Sequence, residues 1–177
     1  VEVVEDRGSA GDIHADVVIG DIIPERCEEV AARVREAGRR SLAVSTDVTD
    51  TAQVRALIDS AASHFGRIDI LVNNAGGVSP RPFIDQSERS WRRHIDLNLV
   101  SMLAATSAAA PAMIRGGRGG SIINVSSIAA VQPTPNEAAY GAAKSGLNAL
   151  STAFARAYGP KVRVNVIMPG PFLTDIS

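Results

Sequence analysis

Alternation is the feature that most constrains this chain. Short apolar runs of strand length take turns with longer segments of helical period along most of the sequence. Residues 16–20 (DVVIG) read as a buried strand, 25–37 as a helix closed by Gly38, and 41–46 as a second strand. Asp50 then starts a helix with Gln53 three residues on, the pattern of a capping box. In that helix Val54, Leu57, Ile58, Ala61, Ala62 and Phe65 mark one stripe facing a core, and Gly66 ends it. Residues 69–73 (DILVN), 121–125 (SIINV) and 162–168 are further strands. Helices over 88–115 and 136–158 separate them, stopped by the glycine-rich run 116–120 and by Gly159-Pro160. Strands joined by helical crossovers lie parallel and need cover on both faces. The expected fold is therefore α/β, a doubly wound, mostly parallel sheet with helices on both faces.

Composition bounds the function. The chain has 177 residues, 45% of them hydrophobic, and a formal charge of −1. That suits a single globular domain over 1–177 and supplies no basic footprint for nucleic acid. No apolar run approaches the roughly 20 residues of a membrane helix, so no membrane partner is expected. The first ten residues lack the pattern of a signal peptide, and the chain begins without Met. Cys27 is the single cysteine, which excludes an internal disulfide and points to a reducing, cytoplasmic compartment. Its neighbours Glu28 and Glu29 disfavour a thiolate. His14, His64 and His94 share no ligand spacing and no carboxylate cluster accompanies them, so no metal site is expected. The sequon Asn124-Val125-Ser126 falls in a buried strand and is discounted as a glycosylation site.

In open α/β sheets ligands bind beyond the carboxyl ends of the strands. Those ends carry Asp21, Asp47-Val48, Asn73-Asn74-Ala75-Gly76, Ser126-Ser127 and Pro169-Gly170. Tyr140 and Lys144, four apart on a helix, share one face. An ammonium beside a phenol favours the phenolate and eases proton exchange. Ser127 leaves the sheet 13 residues before Tyr140; its hydroxyl can hold a substrate oxygen, or simply satisfy a turn. Asp21 can accept hydrogen bonds from a ribose diol and would repel a 2′-phosphate, which favours NAD over NADP; it can also be the approach to a helix at Pro24.

These motifs, in this order, resemble the short-chain dehydrogenase/reductase family over residues 16–177. They are Asp47-Val48, Asn73 to Gly76, Asn98 in the long helix, Ser127, Tyr140 to Lys144, and Pro169-Gly170 with Thr174. The resemblance implies a Rossmann-type fold and hydride transfer between NAD(P) and a small-molecule carbonyl or alcohol. It implies that Tyr140 exchanges the proton, Ser127 orients the substrate oxygen, Lys144 holds ribose hydroxyls and biases Tyr140, and Asn98 anchors a water. Asp47 and Val48 would meet the adenine; Asn73, Ala75 and Gly76 the cofactor ribose; Thr174 the nicotinamide amide. It also implies a homodimer or homotetramer.

One part of the pattern is absent. The family opens with a strand, a Thr-Gly-x-x-x-Gly-x-Gly turn and a helix, and the usual interval from such a turn to the acidic residue is about 20 residues. Gly8 and Gly11 lie only 13 and 10 residues before Asp21. The first βα unit is thus expected to be incomplete. Residues 1–4 could stand in as a short strand, but the link to residue 16 is at the limit for a parallel crossover and lacks a helical period. Two classes of function follow: an oxidoreductase, or a non-catalytic or inactive chain that keeps the proton-handling residues without a grip on pyrophosphate.

Overall fold

A computed structural model describes residues 2–6, as backbone, and 15–170. The elements run β1 (Glu2–Asp6), β2 (Ala15–Asp21), α1 (Pro24–Glu36), β3 (Ser41–Ser45), α2 (Thr51–Phe65), β4 (Ile70–Asn73), α3 (Glu88–Ile95), a π turn (Asp96–Val100), α4 (Ser101–Arg115), β5 (Gly120–Val125), α5 (Ala138–Tyr158) and β6 (Val162–Ile167). The six strands form one sheet in the order β3-β2-β1-β4-β5-β6. The β2–β3, β4–β5 and β5–β6 pairs are parallel, as the helical crossovers require.

The central strand departs from that rule. β1 occupies the slot between β2 and β4 and runs antiparallel to both. Asp6 pairs with Ala15 and Glu2 with Ile19, so the two strands are related as in a hairpin and need no helical crossover. The length argument against a parallel β1 is met by reversing the strand.

Alternation along the strands separates two faces. On one, Val18, Leu71, Ile122 and Val164 pack against α2 and α4 in the main core, with Leu57, Ile58, Ala105, Ala109 and Met113 fully buried. On the other, Val17 and Ile19 pack under Cys27 and Ala31 of α1. Beyond α1 that second face is open among the described residues: Ile70, Ser121, Ile123, Arg163, Asn165 and Ile167 line a cavity of about 610 Å³ on it.

Local signals explain the helices. The Asp50 carboxylate accepts from the N–H groups of Ala52 (2.9 Å) and Gln53 (3.4 Å), and Gly66 closes α2 at φ 80°. Those bonds hold the Asp50 carboxyl below its usual range. The Gln53 side chain reaches back to the N–H of Asp47 at 2.9 Å, widening the capping box by three residues. The helical stretch Glu88–Arg115 has the length and apolarity to cross a bilayer, but half of its most apolar window is buried in protein.

Candidate active site

Three backbone departures at the carboxyl rim bring the site together. β5 ends at Val125, and the chain turns through 126–130 into the approach to α5. The Ser127 hydroxyl accepts from the N–H of Ala129 at 3.2 Å, so it serves as a turn residue where the chain leaves β5. This turn is sewn to the first two turns of α5. The Ser126 hydroxyl donates to the Lys144 carbonyl (3.4 Å), the Ser145 hydroxyl donates to the Ala130 carbonyl, and a Cβ on Gly141 would lie 2.9 Å from the Ala129 carbonyl oxygen. On its other side the Ile128 N–H donates to the Pro169 carbonyl at 3.0 Å.

Lys144 is the most unusual group on α5. It is 3% exposed, and its Nζ donates to the Val125 carbonyl at 2.8 Å. Nζ also lies 5.8 Å from the centre of the Tyr140 ring. Burial pushes its ammonium down to about 8, because desolvation penalises the charged form. The wall opposite is Gly76: a Cβ there would sit 3.3 Å from Nζ and 2.8 Å from Asn98 Oδ1. Only a residue without a side chain lets the loop approach this closely.

Asn98 lies in the π turn and is fully buried. Its Oδ1 accepts from the Gly77 N–H (3.0 Å), and its Nδ2 donates to the carbonyls of Gly77 (2.9 Å) and His94 (3.0 Å). The extra residue of a π turn disturbs the helical ladder, and the carboxamide supplies the His94 carbonyl with a donor. Ser127, Tyr140, Lys144, Gly76 and Asn98 are thus brought into one region.

Other expected residues stand elsewhere. Asn73 is 1% exposed, and its Nδ2 donates to Asn124 Oδ1 (2.8 Å) and Thr106 Oγ1 (3.5 Å). Asn124 in turn donates to the Ser151 hydroxyl at 2.8 Å. The Asn73 side chain therefore ties β4 to β5 and α4 inside the core, leaving only its main chain for the rim. Val48 is a core residue. Asp21 and Asp47 belong to the β2–β3 half, across β1 from the lysine. Asp21 Oδ1 accepts from the Ile23 N–H at 2.9 Å, and Asp47 Oδ1 accepts from the N–H (2.9 Å) and hydroxyl (2.7 Å) of Thr49. Thr174 lies outside the described residues.

Cys27 is 1% exposed at this second half, with its Sγ 3.1 Å from the Asp21 nitrogen. Its thiol is pushed up first by burial and then by the Asp21 charge. The direction matches the expectation; the cause is not the exposed Glu28 and Glu29.

Known proteins resemble this chain over most of its length. The family model described as short chain dehydrogenase matches residues 11–177. The chain is 40% identical over 167 residues to cis-4-hydroxycyclohexanecarboxylate dehydrogenase of Sinomonas cyclohexanicum, covering 93% of this chain and 64% of that protein. It is 37% identical over 162 residues to 7alpha-hydroxysteroid dehydrogenase of Escherichia coli K12, covering 91% of this chain and 63% of that one. The solved structure of carveol dehydrogenase from Mycobacterium avium in complex with NAD superposes with a TM-score of 0.85 at 34% identity, over 90% of this chain and 62% of that chain. The chain belongs to the short-chain dehydrogenase family. It spans less than two thirds of the length of these relatives.

The two ends of a dinucleotide meet different surroundings here. A buried ammonium with one backbone acceptor, facing a bare glycine wall, suits sugar hydroxyls. The centre of the rim does not suit pyrophosphate: β1 runs the wrong way to deliver a strand-to-helix turn whose amides would face an anion.

Proposed function

We propose that this chain carries the proton-handling half of an oxidoreductase that interconverts a small carbonyl compound and its alcohol with a nicotinamide cofactor. The buried Lys144 beside the Tyr140 ring is the observation that carries this reading. The cofactor, when bound, supplies or accepts the hydride. Tyr140 donates its phenolic proton to the carbonyl oxygen in reduction and takes it from the alcohol in oxidation. Ser127 donates a hydrogen bond to the same oxygen and fixes its position. Lys144 holds the ribose hydroxyls nearest the nicotinamide and sets its Nζ beside the Tyr140 ring. Asn98 steadies the Gly77 loop and, at its π turn, anchors a water between Lys144 and solvent.

The remaining contacts belong to the same reading. The main chain at Asn73, with Ala75 and Gly76, borders the cofactor ribose, Asp47 and Val48 the adenine, and Thr174 the nicotinamide amide. Asp21, followed by Ile22 and Ile23 with no adjacent arginine, favours NAD over NADP. An apolar groove lined by Phe83, Trp91, Ile95, Ala138, Ala139 and Ala142 supports self-association as a homodimer or homotetramer. Buried Cys27 supports a cytoplasmic setting.

Turnover of a panel of cyclic and secondary alcohols with NAD tests the assignment. Tyr140→Phe should lose turnover by roughly 10³-fold, within the usual worth of general acid–base catalysis, and bind NADH as the parent does. A fully active Tyr140→Phe protein would refute the proton-transfer role. A second reading is favoured by the reversed β1: the chain keeps these residues but grips no dinucleotide, and turnover is absent in the parent as well.

A further inference from the structure

Two side chains one helical turn apart hold the same loop. Asn98 binds Gly77 at both of its backbone groups. His94 binds Ser79: the Ser79 N–H donates to Nε2 at 3.2 Å, while Nδ1 lies 2.9 Å from the Ser90 carbonyl oxygen. Both ring partners are backbone groups of fixed polarity. An amide N–H only donates and a carbonyl only accepts, so the ring must be neutral with its proton on Nδ1. The two grips are joined, because Asn98 donates to the His94 carbonyl.

We propose that His94 is a positioning residue whose neutral ring latches Ser79 and, with Asn98, fixes the 76–79 loop that walls the Lys144 cleft. That this wall borders a reaction cleft rests on the function proposed above; the latch does not. A ring with its proton on Nε2 would set an Nε2–H against the Ser79 N–H, two donors facing one another, and could not hold the loop.

The surroundings of the ring are defined. His94 is 9% exposed. A cavity of about 170 Å³ beside it is lined by Gly77, Val78, Ser79, Arg93, His94 and Leu97. Arg93 of α3 is the charged group on this cavity. From α5, Lys144 reaches the same loop at Gly76, and the exposed Asp96 of the π turn lines a different cavity, with Asp47 and Arg89. No carboxylate lines the His94 cavity among the described residues. The loop itself contributes only backbone groups, two glycines, Val78 and the Ser79 hydroxyl.

Nitrogen NMR of the imidazole and hydrogen exchange of the Ser79 amide test this on the intact chain, without cofactor or turnover. The parent protein should show the Nδ1–H tautomer near neutral pH. The Ser79 amide should be protected well beyond its intrinsic exchange rate. His94→Phe should lose about tenfold of that protection, the worth of one hydrogen bond. His94→Gln, whose amide oxygen can accept from the Ser79 N–H, should restore protection. An Nε2–H tautomer, or a Ser79 amide as well protected in His94→Phe as in the parent, would overturn the latch whatever the catalytic outcome. If Ser79 behaves as expected and no alcohol is turned over, the latch stands and the proposed function falls.

Discussion

The two halves of the carboxyl rim are built to different standards. In the β4–β5–β6 half, Lys144, Asn98 and the turn at Ser127 are held by neighbours from another element. Lys144 is fixed by Val125, Asn98 by Gly77, and the Ser127 turn by Pro169 and α5. Beneath them the Asn73–Asn124–Ser151 chain locks β4, β5 and α5 in register. In the β1–β2–β3 half, the Asp21 and Asp47 carboxylates bond, among the described residues, to groups two residues away, and the central strand is reversed. The difference teaches where the rim is pre-organised: among the described residues the Lys144 end is assembled, and the end around Asp21 and Asp47 is not.

The largest effect on stability should come from Lys144. Its folded value of about 8 lies below its ordinary 10.5, so between those two values the unfolded chain binds more protons. Stability contributed at this site is lowest below pH 8, rises as pH climbs, and is complete above pH 10.5. The rise amounts to about 3 kcal/mol at 1.36 kcal/mol per unit. Denaturant unfolding across that window should show the slope in the parent protein and its absence in Lys144→Met. A parent curve as flat as the variant would mean the lysine is solvated.

Next comes the buried polar chain. Asn124→Ala strips Asn73 and Ser151 of a partner, and each unsatisfied buried group costs about 1–3 kcal/mol. A loss of about 3 kcal/mol in unfolding free energy is expected. A cost as small as that of a surface change, within about 0.5 kcal/mol, would show that the network does not lock the strands. The smallest effect belongs to the second half. Asp21→Ala should move the NAD to NADP affinity ratio by about tenfold, the worth of one charge-assisted hydrogen bond. An unchanged ratio removes Asp21 from the site.

Much of this was legible before any coordinates. Helix periods, the Asp50 cap and the glycine stops placed the elements to within a residue or two, because each rests on local chemistry. The Tyr140–Lys144 pair was legible because four residues on a helix fix a shared face. The direction of β1 was not: five apolar and acidic residues form a strand either way, and only the length of the following link bears on it. The roles of Asn73 and Asn124 were hidden for a different reason. They occupy partnered positions on β4 and β5, and that pairing is a matter of register. The clue was an asparagine on the inward face of an apolar strand, a position that requires a partner. His94 was weighed only as a metal ligand, although its place one turn before Asn98 put both on the loop-facing side of the helix.

The unequal halves can be compared by cutting the cofactor in two. Fluorescence titration with reduced nicotinamide mononucleotide and with NADH measures what the adenosine end adds. If the lysine half carries recognition, the two should bind this chain with affinities within about tenfold of each other, a difference of about 1.4 kcal/mol. NADH binding tighter by about a thousandfold or more, or the mononucleotide not binding at all, would contradict the claim that the organised lysine half of the rim carries recognition.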